Sequence, residues 1–273
     1  MSVRERDVFR KPGTARAIQW ERAGLEWLEE AATSGGARVV GIVGSDASQL
    51  CLERISHVAP SARAARDFGA ALAVTHGAGC GRASESGERS FGLGPIDAEG
   101  RAWRGDGLQG PAGEQLVLPL AQEGEYLSWG AMFANARVDP LVRASGDLFD
   151  AEQRKVFGRL MSRLCAGDFD DDEPPARVHG DLWAGNVLFD SEGAVLIDPA
   201  AYSGHRLDDL AALHLFGAPH LAHVVEGYEA AHPLAHEWQD VLALHSLHLV
   251  LLHAALFGGG YAGEALTIAR RYA

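Results

Sequence analysis

Positive charge is in short supply in this chain. Its 273 residues hold 24 Lys and Arg against 37 Asp and Glu, a formal net charge of −13. Surfaces for nucleic acid or anionic membranes are built from clustered cations, so neither is an expected partner. Cysteine is scarce too. Cys51, Cys80 and Cys165 are widely spaced and odd in number, which points to reduced thiols in a cytoplasm and away from a disulfide framework. There is no C-x-x-C pair or Cys/His cluster of the kind that holds zinc. The N-terminus runs through charged residues from Arg4 to Lys11 and lacks the apolar core of a signal peptide. No internal repeat is visible. The longest apolar stretch, near Leu247 to Phe257, is interrupted by histidines and is expected to be too short to span a bilayer.

What remains is a chain that is 47% hydrophobic, long enough to bury a large core as one big domain or two lobes. It is organised around residues 178–198, VHGDLWAGNVLFDSEGAVLID. Val187–Asp190 and Ala194–Ile197 are runs of β-type residues, and Ser191-Glu192-Gly193 between them is turn chemistry, so the stretch reads as a β-hairpin entered through a polar loop. Asn186 stands just before the first strand and Asp198 just after the second. Flanking residues of an antiparallel pair are expected to face each other about 4.5–5.5 Å apart, close enough for hard cations to sit between their oxygens. Asp181 precedes Asn186 by five residues, the D-x-x-x-x-N spacing of a phosphotransferase catalytic loop, with Gly180 where protein kinases carry Arg. One Asp near an acceptor hydroxyl, with an Asn and a second Asp holding Mg²⁺ on the phosphates, is what phosphoryl transfer from ATP requires. In an acidic chain, such binding depends on local cations and Mg²⁺.

HGDLWAGN, followed by IDPAAYSGHR, DLA and LFGAP, resembles the fructosamine (ketosamine) kinase family, whose members share the aminoglycoside-phosphotransferase and protein-kinase-like fold. Trp129 to Phe133 with Arg137, Tyr228 with Pro233-Leu234, and FGGGY at 257–261 extend the resemblance from about Leu50 to the C-terminus; before Leu50 it is weaker. The fold it implies is α+β and two-lobed: a small, shortened N-terminal lobe with a hinge strand (1–55) and a mainly helical lobe carrying the catalytic loop and metal-binding hairpin (56–273). The activity it implies is ATP-dependent phosphorylation of the 3-hydroxyl of a ketosamine, free or protein-bound, by a monomer or weak homo-oligomer. Another small-molecule kinase (for an aminoglycoside, choline or sugar) and a pseudokinase or binding module stand as alternatives.

By the same resemblance Asp181 is the base, Asn186 and Asp198 hold Mg²⁺, and Lys11 pairs with Glu21 at the phosphates, with Leu25 on the same helix face. The strand QLCLERI brings backbone groups near Glu53 and Ile55 to the adenine. Trp183 and His205 lie near the sugar, and His179, Arg206 and Asp209 organise and brace the loop. Leu207 stands where the family has Glu, so a polar role is lost there.

Helices are expected over about 17–32, 61–76, 128–145, 151–164 and 234–257, with another opened by Asp209. Residues 77–113 read as long irregular loops, and Asp168 to Glu173 as a solvated linker. Only ten residues precede Lys11, none of them glycine, whereas a phosphate-covering hairpin needs roughly 15–20. That hairpin is therefore expected to be missing, through an upstream start site or a naturally reduced lobe. Weak ATP binding, slow turnover and an exposed apolar face on the 17–32 helix are expected with it.

Overall fold

The computed structural model describes residues 7–80 and 90–273; part of the charged N-terminus and part of the 77–113 stretch lie outside the described residues. Strand β1 (Val8–Pro12) leads into helix α1 (Ala15–Ala32), whose first turn is capped by the Thr14 hydroxyl accepting from the Ala17 N–H. Strands β2 (Arg38–Val39), β3 (Ile42–Ser45) and β4 (Gln49–Glu53) follow, and β1, β4 and β3 pair antiparallel in that order, placing Lys11 opposite Leu50. The period-two pattern of β4 sends Leu50 and Leu52 inward, where they meet Ile18, Leu25, Val40 and Val195. Trp27 and Leu28, on the next face of α1, pack with Cys80 and Ala201. The apolar face expected to lie open is thus covered: Leu25, Trp27 and Leu28 are at most 1% exposed. Gly24 lets the helix close on the chain beyond the hairpin, since a Cβ there would stand 3.1 Å from Pro199.

Helix α2 (Ala62–Gly77) precedes two short antiparallel strands, β5 (Gly107–Gln109) inside the stretch read as irregular and β6 (Leu116–Leu118) just beyond it. Helices α3 (Trp129–Met132) and α4 (Asp139–Ala144) are joined through a π-helical segment, Phe133–Val138, close to the expected span. Helix α5 (Ala151–Cys165) starts from a capping box of Asp150 and Gln153. Then come β7 (Ala176–Val178), β8 (Val187–Asp190), β9 (Gly193–Leu196) and β10 (Tyr202–Gly204), and the helices α6 (Arg206–Phe216), α7 (Leu221–Ala231), α8 (Gln239–Phe257) and α9 (Gly260–Tyr272). The strand-rich N-terminal region and the helical C-terminal region form a bilobal kinase-like fold. A shared sheet joins them, because β2 runs parallel to β9.

Three expectations are corrected here. Helix α6 begins at Arg206, three residues before Asp209, because the His205 imidazole caps it by accepting from the Leu207 N–H. The acidic run is solvated only in part: Asp168, Asp171 and Asp172 are exposed, but Asp170 accepts from the Gly130 N–H at 2.7 Å, Asp171 meets His205, and Glu173 pairs with Arg206. Helix α8 starts at Gln239, five residues later than expected, yet it reaches well before the Leu247–Phe257 stretch, and its nineteen residues are long and apolar enough, by length and composition, to cross a membrane. In this fold its middle is core: residues 244–252 are buried, His245 and His248 included.

Candidate active site

The loop between β7 and β8 is fixed from below before any functional group is placed. The two carboxylate oxygens of Asp209 accept from the His179 N–H at 2.7 Å and the Gly180 N–H at 2.9 Å. His76, on α2, reaches the same carboxylate at 3.1 Å and the Tyr228 hydroxyl at 2.7 Å. His179 ties the loop to the hairpin, its Nε2–H donating to the Ile197 carbonyl at 2.8 Å and its Nδ1 accepting from the Asp181 N–H at 3.3 Å. Gly180 sits at φ +80°, and a Cβ there would lie 2.2 Å from the Ala200 carbonyl oxygen. That contact excludes any side chain at the place where protein kinases carry Arg. Gly180→Ala is expected to cost at least about 2 kcal/mol through the left-handed backbone and the overlap together, read as a lower urea midpoint.

Asp181 projects from this loop between two amides. Gln109 donates from Nε2 to the Gly180 carbonyl at 3.0 Å and to Asp181 Oδ1 at 3.3 Å. Asn186 donates from Nδ2 to the Asp181 carbonyl at 2.8 Å and to Oδ2 at 3.1 Å. Burial pushes the Asp181 carboxyl above its usual range, with His179, Gln109 and Asn186 pulling the other way.

The hairpin forms with Gly193 inside β9, so Ser191 and Glu192 alone make its turn. Its register differs from the expected facing of Asn186 and Asp198. Val187 pairs with Leu196, and the Ile197 N–H donates to the Asn186 carbonyl at 3.1 Å, so Ile197 is opposite Asn186. Asp198 is one residue further, at φ +53°, a left-handed conformation uncommon outside glycine. Its carboxylate stands 2.9 Å from the Lys11 ammonium, which also holds Glu21 at 2.7 Å. Burial weakens the Lys11 charge, but the two carboxylates outweigh it and raise its pKa. Burial raises Glu21, against the pull of Lys11 and with the push of Asp198. Glu21 Oε1 is buried with no hydrogen-bond partner among the described residues.

These groups share one cavity of about 400 Å³, lined by Lys11, Glu21, Gln109, Asp181, Asn186 and Asp198, with Trp183 and Phe257 at its apolar side. Lys11 and Asp198 also border a second cavity of about 300 Å³, walled by Phe9, Val40, Leu52, Ile55, Leu188 and Ile197. Glu53 lines this slot, but its N–H is spent on the Gly41 carbonyl at 2.8 Å and offers no free hinge donor. Trp183 lies over Gly185, where a Cβ would fall 2.2 Å from the indole, and is 42% exposed.

His205 and Arg206 are not part of this cavity. His205 is buried at the head of α6, 5.8 Å from the Trp129 ring and 4.7 Å from the His245 ring, with Nε2 directed at Asp171; capping and burial leave it no route to a sugar. Arg206 is buried against Glu173 and the His232 and Pro233 carbonyls, tying the acidic run to the start of the α7–α8 connection, and it reaches the loop indirectly through Tyr228, whose hydroxyl meets His76 beneath Asp209.

Sequence reasoning missed Gln109 and its partner His248, whose Nε2 lies 2.7 Å from Gln109 Oε1. A histidine among leucines in a buried helix needs a polar partner, and that was the available signal. Burial, reinforced by Arg137, drives His248 down to about 3. The unfolded ring protonates below about 6.5 while the folded ring stays neutral, so its contribution to stability is complete above 6.5 and lost as pH falls toward 3. At pH 5 the loss amounts to about 2 kcal/mol. His248→Gln is expected to remove that part of the stability difference between pH 7.5 and pH 5, measured by urea unfolding at both.

Residues 121–272 match the family model described as fructosamine kinase, more than half of the chain. A Lactiplantibacillus plantarum protein named a probable ketoamine kinase is 34% identical over 147 residues, 53% of this chain and 52% of that one. Mouse ketosamine-3-kinase is 32% identical over 147 residues, 52% of this chain and 46% of its own. The chain therefore spans about half the length of the curated relatives it matches. A crystal structure from Thermobifida fusca, of a protein assigned as a fructosamine-3-kinase, is 34% identical, with a TM-score of 0.79 over 96% of this chain and 84% of that one. An aminoglycoside phosphotransferase, 17% identical with a TM-score of 0.56 over 94% of this chain and 84% of its own, shares the fold. On the extent of the family match, this chain belongs to the fructosamine kinase family.

Proposed function

We propose that this chain is an ATP-dependent kinase that phosphorylates the 3-hydroxyl of a ketosamine, a sugar–amine adduct that is free or protein-bound. The observation that carries the reading is the meeting, in one cavity, of the Asp181 loop with the Lys11–Glu21–Asp198 cluster. The acceptor oxygen bonds to the γ-phosphorus, the bond from that phosphorus to the β–γ bridging oxygen breaks, and ADP leaves. Asp181 takes the acceptor proton. Lys11 meets the phosphates, and the apolar slot beside Ile55 takes the adenine, its hinge contacts coming from groups other than the Glu53 N–H. Trp183 offers a face on which a sugar ring stacks.

The residues present fit Mg²⁺. Asn186 commits Nδ2 to Asp181, which turns its Oδ1 away from that contact, and Asp198 is 40% exposed at its side chain with Oδ1 on a cation already. Mg²⁺ is commonly held by one or two such oxygen donors together with substrate phosphates. Asn186 and Asp198 would hold it, and it would neutralise charge between the β- and γ-phosphates. The direct test is ATP consumption against a panel of ketosamines, aminoglycosides and choline. Turnover confined to ketosamines is expected. Preference for another acceptor class, or no consumption with any, would overturn the assignment.

A further inference from the structure

Gln109 and His248 form a chain of hydrogen bonds that ends on Asp181, and the chemistry of its members leaves one arrangement. The Gly180 carbonyl and Asp181 Oδ1 are both acceptors, so the Gln109 side chain must turn its NH₂ toward them. Its carbonyl oxygen then faces into the protein and needs a donor, and His248 Nε2–H supplies it at 2.7 Å. Both residues are buried, Gln109 at 3% and His248 at 5% exposure. With Nε2 carrying the proton, His248 Nδ1 is left buried without a partner among the described residues. Leaving a buried polar atom unpaired costs stability, so the pair is not explained by core packing alone. Neither residue lies near the other functional groups in sequence: Gln109 is on β5 and His248 in the middle of α8.

We propose that Gln109 is a positioning residue for the transfer step, its carboxamide oriented by His248 so that it holds the Asp181 carboxylate against the catalytic loop. The inference rests on the reading of Asp181 as base. Asp181 is contacted on opposite oxygens by Gln109 and Asn186. Asn186 fixes Oδ2 alone, so the position of Oδ1, and with it the rotation of the carboxylate, is left to Gln109. Misplacing a reacting group by about 1 Å costs roughly 10²-fold in rate. A residue acting in this way lowers kcat and leaves the binding of both substrates nearly unchanged.

The test compares Gln109→Leu, Gln109→Glu, His248→Leu and His248→Gln with wild type, each checked for a cooperative thermal transition. Gln109→Glu keeps the shape but sets an acceptor against the Gly180 carbonyl and Asp181, so it serves even if the leucine variant does not fold. Expected for Gln109→Leu, Gln109→Glu and His248→Leu is a fall in kcat of about 10- to 100-fold with both KM values within threefold. His248→Gln, whose amide reproduces the Nε2–H donor, retains at least about a third of wild-type kcat. A raised acceptor KM at unchanged kcat would show Gln109 touching substrate and would overturn the inference, as would equal losses in His248→Gln and His248→Leu. Crystal structures of wild type and Gln109→Glu give a readout that needs no substrate: the Asp181 carboxylate is expected to leave its site between Gln109 and Asn186. An unmoved carboxylate refutes the positioning role, whereas a wild type inactive on every ketosamine refutes only the substrate assignment.

Discussion

Asp181→Asn is expected to lower turnover by about 10²–10⁴-fold, the range a positioned base contributes, while Mg-nucleotide affinity stays within a few-fold. The variant removes the proton acceptor and also disturbs the loop in a definable way. The carboxylate accepts from Gln109 on Oδ1 and from Asn186 on Oδ2. An amide offers one oxygen and one NH₂, so one of the two donors must face another donor. The Lys11–Glu21–Asp198 cluster makes no hydrogen bond to the Asp181 side chain and is left as it was. Steady-state turnover and calorimetric nucleotide binding separate the two effects. Near-native activity on the best acceptor would remove Asp181 from the role of base.

Asp198→Ala is expected to weaken nucleotide binding in Mg²⁺ by about 10–100-fold and to change it little in EDTA. Lys11 also pairs with Glu21, at 2.7 Å, so the cation proposed to meet the phosphates is expected to stay in place and the loss to fall on the metal-dependent part. Alanine at φ +53° also strains the backbone, which makes Asp198→Asn the necessary companion: it tolerates the conformation and lacks the charge. If wild type and both variants bind nucleotide equally in Mg²⁺, Asp198 holds no metal.

The hairpin and its loop were legible in residues 178–198 because β-type runs, a turn and spaced polar residues lie there within short range, whereas the two-lobed fold class was legible through the family resemblance that HGDLWAGN and the motifs after it carry. The Lys11–Glu21 pairing, 2.7 Å in the structure, was legible only through resemblance. The facing of Asn186 and Asp198 was misjudged because one residue of register is invisible when both strands are equally apolar. Gln109 was illegible for a different reason. It lies on a three-residue strand in a glycine-rich stretch without periodicity, and its role is created by α8, which begins 130 residues later. His205 misled because it stands in the same motif as Asp209, whereas at the start of α6 its imidazole turns inward and caps the helix.

Helix α1 carries two neighbouring residues with separate duties. Trp20 donates from its indole to the Leu108 carbonyl at 2.8 Å, next to Gln109, while Glu21 grips Lys11. Gly24 holds the same helix against Pro199, beside Asp198. A helix moves as a rigid rod, so a rotation or slide of α1 alters its attachments at Leu108, Lys11 and Pro199 in the same movement. The Lys11–Glu21 pair and the strand beside Asp181 are therefore geared to one shaft.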